Sequence, residues 1–183
     1  MKRENLKDYR PRHSRIVALC ALFTALCLAF SGCGSMKGYS NESLFPDDIG
    51  SVYLEMFENR SLERGVEYEL TDALAKRIEA DTPYKIISSH DRADTLLSGQ
   101  ITLIGSTVLT SERETGRALE KEVELQAIVN WKNLKTGELL LDNVYVNASA
   151  TYSEWQNQGF RYASTLAANN LAQKIVELME KQW

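Results

Sequence analysis

Residues 121–150, KEVELQAIVNWKNLKTGELLLDNVYVNASA, decide most of the fold. Between Val123 and Trp131 apolar side chains alternate with polar ones, which is the period of a strand that buries one face. The polar segment from Asn133 to Gly137 ends in glycine and is typical of a hairpin loop. A second strand, Glu138 to Ala150, then runs back. Its alternation slips by one residue near Asp142, so we expect a bulge there.

A long strand precedes this hairpin and begins near Thr95. Residues 110–118 predict the turn that connects it to the strand of Val123. Two glycines on the expected buried face leave room for close packing or a bend. That face is expected to carry Leu97, Gly99, Ile101, Leu103, Gly105 and Leu109.

The start of the domain has a strand–helix–strand pattern. Residues 50–57 alternate, with Val52, Leu54 and Met56 on one face. Residues 64–80 have the spacing of an amphipathic helix, and Pro83 follows as a stop signal. Residues 84–88 form a short second strand. This order suggests a right-handed crossover between parallel strands.

The last segment is an amphipathic helix. Its apolar stripe comprises Phe160, Ala163, Ala167, Leu171, Ile175, Leu178 and Met179. Ser153 with Gln156 fits a capping box, whereas Gly159 favours a later start, and the sequence leaves both open.

The elements together predict an α+β fold, an α/β sandwich of order β-α-β-β-β-β-α. We expect a mixed sheet of four to five strands with two helices packed on one face. The other face should be partly solvated, because two helices cover only one side of such a sheet. One shared core is expected to contain Leu74, Leu103, Leu125, Val129, Leu171 and Ile175.

The N-terminal 32 residues have the layout of a signal peptide. Residues 1–15 are basic, and the uncharged run 16–30 is shorter than the roughly 20 residues of a spanning helix. Ser31 and Gly32 before Cys33 resemble the lipobox of bacterial lipoproteins, which implies cleavage before Cys33 and its acylation. The alternative is an uncleaved anchor with an ordinary cysteine. We expect a signal peptide at 1–32, a lipidated cysteine and flexible tether at 33–48, and one domain at 49–183.

Charge and composition exclude several classes of protein. Cleavage at Cys33 would leave 15 basic and 23 acidic residues, a net charge of −8, which disfavours a general nucleic-acid binder. His90 would be the one remaining histidine, so a histidine–cysteine metal site is close to excluded. No phosphate-binding loop or dinucleotide motif occurs. We expect no enzyme activity and no cofactor or metal, apart from the covalent lipid.

Basic side chains near the turns are candidates for binding an anionic ligand. Arg113, Arg117 and Lys121 surround one turn, and Lys132 and Lys135 flank the next. Their functional interpretation is a pair of anchor points for an anion. Interleaved glutamates support the alternative of salt-bridged hairpin ends, which the mixed charges favour.

Several stretches resemble the LptE-like lipopolysaccharide-assembly lipoproteins. They are the lipobox cysteine, MFENRS (56–61), GVEYELT (65–71), TPYKI (82–86), ADTLLSGQI (93–101), NWKNLKTGE (130–138) and IVELME (175–180). The resemblance covers nearly the whole chain after Cys33, but it places no ligand-binding residue individually.

The resemblance implies a non-enzymatic outer-membrane lipoprotein with its domain in the periplasm. Such proteins assist lipopolysaccharide assembly and transport as the plug and partner of the lipopolysaccharide-transport β-barrel, and they bind lipopolysaccharide. Gly34 stands where an aspartate would signal inner-membrane retention, so the outer membrane is expected.

A second resemblance belongs to a different class. FENR (57–60) followed by LTDAL (70–74) is similar to the first unit of curli-secretion-type lipoproteins and of TolB-like amino-terminal domains. That resemblance implies a secretion pore or an envelope scaffold. The β-meander and single closing helix favour the lipopolysaccharide-assembly interpretation.

Overall fold

The computed structural model describes residues 44–181, which form six strands and two helices. The strands are β1 (Ser51–Leu54), β2 (Glu58–Asn59), β3 (Lys85–Ile86), β4 (Thr95–Ser111), β5 (Ala118–Asn133) and β6 (Leu139–Tyr152). The helices are α1 (Val66–Asp81) and α2 (Phe160–Leu178). Short 3₁₀ turns lie at His90–Arg92 and Glu154–Gln156. The predicted signal peptide, Cys33 and most of the tether lie outside the described residues.

The sheet is mixed, with the order β3-β1-β4-β5-β6. Strand β1 runs parallel to both β3 and β4, whereas β4, β5 and β6 form an antiparallel meander. The predicted α+β fold and element order are confirmed. The sequence did not predict β2, which pairs parallel with β4 at Gln100 and Ile101.

Five of the six expected core residues are fully buried. Leu74 on α1, Leu125 and Val129 on β5, and Leu171 and Ile175 on α2 all have an exposed fraction of 0%. Both helices bury their apolar stripes, because each must hide its apolar face against the sheet or the other helix.

The sixth expected core residue, Leu103, is 43% exposed, so this prediction was wrong. The register between β4 and β5 shifts between Ile101 and Leu103, which inserts one extra residue and inverts the alternation. Leu97 and Ile101 are buried as predicted. Beyond the shift Leu109 is 48% exposed, and Gly105 faces Glu124 on the other side of the sheet.

The first strand is shorter than predicted. It ends at Leu54, Met56 is 52% exposed, and Phe57 is the buried residue, at 2%. A Cβ on Gly99 would come within 2.5 Å of the Phe57 ring, so the ring occupies the space that this glycine leaves. The close packing predicted at Gly99 is therefore confirmed.

Helix α2 has the later of the two starts that the sequence left open. Gly159 is its N-cap, and Ser153 Oγ donates to the Leu119 carbonyl at 2.8 Å instead of capping a helix. The bulge expected near Asp142 is present. Asn143 has a left-handed φ of 50°, and its N–H donates to Asn130 Oδ1 at 2.7 Å.

The last residues of the expected tether pack on the domain. Phe45 is 7% exposed, the Lys181 N–H donates to the Leu44 carbonyl at 2.7 Å, and Lys181 Nζ lies 2.9 Å from Asp47 Oδ2. Within residues 44–181 no helix is both long and apolar enough to cross a membrane.

Candidate functional site

The five candidate basic residues lie at opposite ends of the sheet. Lys121 and Lys132 are both on β5, eleven residues apart. At about 3.3 Å per residue this places them roughly 36 Å from each other. The candidates therefore form two separate groups, and only an extended ligand would reach both.

The first group surrounds the turn between β4 and β5, which we call the hairpin end: Arg113, Arg117, Lys121, Glu154 and Trp155. The Arg117 guanidinium lies 4.3 Å above the centre of the Trp155 ring. Lys121 Nζ lies 2.6 Å from Glu154 Oε1 and 5.9 Å from the centre of the Tyr152 ring. The hydrogen bond with Lys121 lowers the pKa of Glu154 and raises that of Lys121, so both stay charged.

Arg113 differs from its two neighbours. It is exposed at the tip of the turn, and among the described residues it forms no ion pair. Gly116 closes the turn with a φ of 71° and donates its N–H to the Glu112 carbonyl at 2.9 Å. An exposed guanidinium that forms no ion pair within residues 44–181 is available to an incoming anion.

Trp155 was not singled out as a site residue by sequence reasoning. The antiparallel pairing of β5 with β6 puts Tyr152 opposite Lys121, so the turn after β6 lies beside the turn before β5. Counting outward from the Asn133–Gly137 loop would have indicated this proximity. The indole is 59% exposed, which gives the hairpin end an apolar surface beside its cations.

The second group has a structural role. Lys135 Nζ lies 2.6 Å from Asp94 Oδ1, and Asp94 Oδ2 accepts the Gly50 N–H and the Ser51 hydroxyl, both at 2.9 Å. The pKa of Asp94 is lowered to about 2, mainly because of the hydrogen bond from Lys135. Lys132 is exposed beside this cluster.

The open face of the sheet is mostly polar, with Ile128 and the 55% exposed Tyr145 paired on it. Along β5 the half-buried residues Glu122, Glu124, Gln126 and Asn130 alternate with the buried core positions. Gln126 Nε2 donates to Glu124 Oε1 at 2.9 Å. A shallow cavity of about 220 Å³ on this face is lined in part by Glu55, Glu58 and Asn130.

Within residues 44–181, no group of three or more histidine, cysteine, aspartate or glutamate side chains is placed to hold a metal ion. His90 lies on an exposed 3₁₀ turn, 3.5 Å from Asp91 and edge-on to Tyr53.

The hairpin end places arginine side chains next to the exposed Trp155 indole. This arrangement suits the binding of an amphiphile that carries anionic groups next to apolar ones.

Comparison with known proteins assigns the domain to a protein family. The family model described as LptE, lipopolysaccharide-assembly, matches residues 49–181. No curated protein matches the chain by sequence.

Several solved structures are similar to this chain at low sequence identity. The uncharacterized lipoprotein B of Nitrosomonas europaea has a TM-score of 0.52 and 13% identity, covering 78% of this chain and 89% of that one. A hypothetical protein of Chlamydia trachomatis has a TM-score of 0.51 and 12% identity, covering 70% and 94%. The rare lipoprotein B of Shewanella oneidensis has a TM-score of 0.47 and 15% identity, covering 71% and 93%.

Proposed function

Because the chain belongs to the LptE lipopolysaccharide-assembly family, we propose that it is a non-enzymatic lipoprotein of the outer membrane. Its role would be to assist lipopolysaccharide transport to the cell surface as the plug and partner of the transport β-barrel. The family match over residues 49–181 is the observation that carries this proposal. Acylation of Cys33 would anchor the chain, with the domain facing the periplasm.

The surface of the domain is compatible with a position inside a barrel. Barrel interiors are polar, so a plug should present mixed polar side chains rather than an apolar patch. The open sheet face does so through Glu122, Glu124, Gln126 and Asn130. The two helices leave this face bare, and it is therefore the surface that we assign to the barrel wall.

The hairpin end is the part that we assign to lipopolysaccharide. The chain from Cys33 onward has a net charge of −8, which disfavours general attraction of an anionic glycolipid, so binding has to be local. Arg113 and Arg117 would pair with phosphate groups, and the exposed Trp155 indole would contact acyl chains. Lys132 and Lys135 are left out, because Lys135 is held by Asp94 at the far end of the sheet.

Isolation of the partner tests the barrel proposal. The tagged full-length protein would be solubilised from membranes, and the proteins that co-purify would be identified by mass spectrometry. We expect a large outer-membrane β-barrel, together with hypersensitivity to bulky hydrophobic compounds when the chain is depleted. Co-purification with a secretion ring would instead favour the pore or scaffold alternative. Depletion that leaves both the barrel and the permeability barrier intact would exclude the proposed role.

The ligand proposal has its own test, with a control at the other end of the sheet. Charge-assisted hydrogen bonds contribute about 1.5–3 kcal/mol each, so the pair Arg113→Gln and Arg117→Gln should weaken lipopolysaccharide binding at least about tenfold. Lys132→Gln removes an exposed charge that lies about 36 Å from Lys121 by strand length, and it should leave binding unchanged. Binding would be measured by pull-down of labelled lipopolysaccharide with the purified lipoprotein. Equal losses in both variants would show that the hairpin end is not the site.

A further inference from the structure

The charge of Lys121 is already used within the hairpin end. Its Nζ lies 2.6 Å from Glu154 Oε1, and its side chain is 27% exposed, against 51% for that of Glu154. An opposite charge at this distance cancels most of the field of the ammonium group. Lys121 is therefore poorly placed to attract an anion, although it lies among residues that are well placed to do so.

The turn after β6 brings two side chains to the hairpin between β4 and β5. The turn is fastened to the sheet at its first residue, because Ser153 Oγ donates to the Leu119 carbonyl at 2.8 Å. The next two residues are Glu154 and Trp155. Glu154 meets the cation on β5, and Trp155 meets the cation in the turn before β5.

The ion pair lies directly beside the contact between Arg117 and Trp155. Arg117 Cζ is 4.3 Å from the centre of the Trp155 ring. The pKa of Glu154 is lowered mainly by the hydrogen bond from Lys121, and the charge of Arg117 lowers it further. The carboxylate is thus within reach of both cations. Its bond to Lys121 restricts where the following residue can place its indole.

The contact with the indole determines how Arg117 can meet an anion. A guanidinium is planar and carries its N–H donors around its rim in a fixed fork. An aromatic ring against one face leaves this rim free and restricts the orientation of the plane. A phosphate group can then accept two parallel hydrogen bonds, and less side-chain freedom is lost on binding.

We propose that Lys121 and Glu154 are positioning residues, which hold the Trp155 indole against Arg117 so that the guanidinium is oriented for a phosphate group. This inference rests on the proposed lipopolysaccharide site at the hairpin end. It removes Lys121 from the ligand-contacting set, because Lys121 acts through Glu154 and Trp155. An exposed ion pair contributes little to the stability of a fold, so its loss should alter the turn and leave the domain folded.

The direction of the effect at Glu154 distinguishes positioning from direct binding. Lys121→Met and Glu154→Ala should each weaken lipopolysaccharide binding about two- to fivefold, the affinity change that an exposed cation–π contact corresponds to. If Lys121 bound the ligand directly, Glu154→Ala would strengthen binding, because it removes a negative charge and frees the ammonium group. Stronger binding by Glu154→Ala would therefore overturn the proposal. Lys121→Arg keeps a cation for Glu154 and should bind as the unmodified chain does.

A measurement without ligand tests the position of the indole itself. The purified lipoprotein would carry Trp183→Phe, which leaves Trp155 and the 3% exposed Trp131 as its tryptophans. Acrylamide quenching of the fluorescence then reports mainly on Trp155. Quenching should increase in Lys121→Met and in Glu154→Ala. Unchanged quenching in both variants would refute the positioning role.

A second ion pair of the domain supplies matched controls. Lys76 Nζ and Asp72 Oδ2 lie 2.6 Å apart on α1, and both side chains are exposed. Lys76→Met and Asp72→Ala should change neither lipopolysaccharide binding nor the quenching of Trp155. Losses as large as those of the hairpin-end variants would show a general effect of charge and would overturn the proposal.

Substitutions of Trp155 separate an aromatic platform from an apolar contact. Trp155→Phe keeps an aromatic face and should retain most of the binding, whereas Trp155→Leu keeps only apolar surface and should lose about as much as Glu154→Ala. Full binding by Trp155→Leu would refute the platform. If the unmodified chain binds no lipopolysaccharide, the proposed ligand is wrong, and the quenching result alone confirms or refutes the positioning of the indole.

Discussion

Asp94 joins three parts of the domain through one carboxylate. It accepts hydrogen bonds from the start of β1, at Gly50 and Ser51, and from Lys135 in the loop between β5 and β6. Its own strand, β4, begins at the next residue. Because these elements are distant in sequence, a single charged side chain here fixes how the parallel and antiparallel parts of the sheet meet.

The Asp94 cluster predicts a specific pH dependence of stability. The pKa of Asp94 in the folded chain, about 2, lies below its ordinary value of 3.8. The stabilisation is therefore complete above about pH 4 and is lost as the pH falls towards 2. Asp94→Asn should lower the free energy of unfolding by about 1–2 kcal/mol at pH 7, a figure reduced for the exposure of Lys135. Urea unfolding at several pH values measures this.

Asp91→Asn is the matched control, because this neighbouring carboxylate has a 97% exposed side chain. It should change stability little at any pH. The difference between Asp94→Asn and the unmodified chain should shrink between pH 4 and pH 2. A difference that stays constant over that range would mean that the carboxylate charge is not what stabilises the cluster.

At the scale of elements, the crossing from β1 to β2 depends on the packing of Phe57 against Gly99. The ring is 2% exposed, and a Cβ on Gly99 would lie 2.5 Å from both Phe57 Cε1 and the Ile128 carbonyl oxygen. The carbonyl belongs to the sheet backbone and moves only with the sheet. Because Phe57 packs closely over Gly99, the segment after β1 can continue along β4, and β2 can pair with the edge of β4.

Gly99→Ala should therefore destabilise the domain by about 1–3 kcal/mol, the usual range for overpacking. The matched control is Gly105→Ala on the same strand, where a Cβ meets no atom within 4 Å and the backbone needs no positive φ. That change should be neutral or slightly stabilising, because it reduces the entropy of the unfolded chain. Thermal unfolding of the two variants distinguishes them. Equal melting temperatures would contradict the account of the crossing.

The elements that sequence predicted well are those with uninterrupted local patterns. Val123 to Trp131 alternate without a break, and every expected core position in that run is buried. Leu103 was placed wrongly because the register shift after Ile101 arises from pairing with β5, which leaves no local signal. The strand β2 escaped for a similar reason, since two residues that pair only through the packing of Phe57 show no periodicity.

The candidate site was predictable only in part. The basic residues near the turns were visible in the sequence, but their pairing partners were not. Glu154 and Trp155 meet Lys121 and Arg117 through the β5–β6 register, more than 30 residues away along the chain. Asp94 likewise holds Lys135 across the sheet. Residue type therefore identified candidates, and topology decided which of them stay available to a ligand.

At the scale of the whole molecule, folding and membrane attachment reside in different parts of the chain. The described core runs from Phe45 to Met179, whereas the proposed anchor is Cys33. One acyl chain gives only marginal binding, so stable anchoring needs more than one, and the lipobox resemblance implies three. A substitution of Cys33 should therefore change the membrane localisation and the processing of the protein without changing the stability of the domain.

Cys33→Ser makes this separation measurable. The variant should remain a precursor that keeps residues 1–32 and incorporates no labelled palmitate, because serine lacks the thiol that is acylated. The melting temperature of its purified domain should equal that of the unmodified chain. Cys27→Ser is the matched control, since Leu26 before it does not suit a lipoprotein signal peptidase, and it should be processed and labelled normally. Normal processing of Cys33→Ser, or loss of labelling in Cys27→Ser, would place the anchor elsewhere.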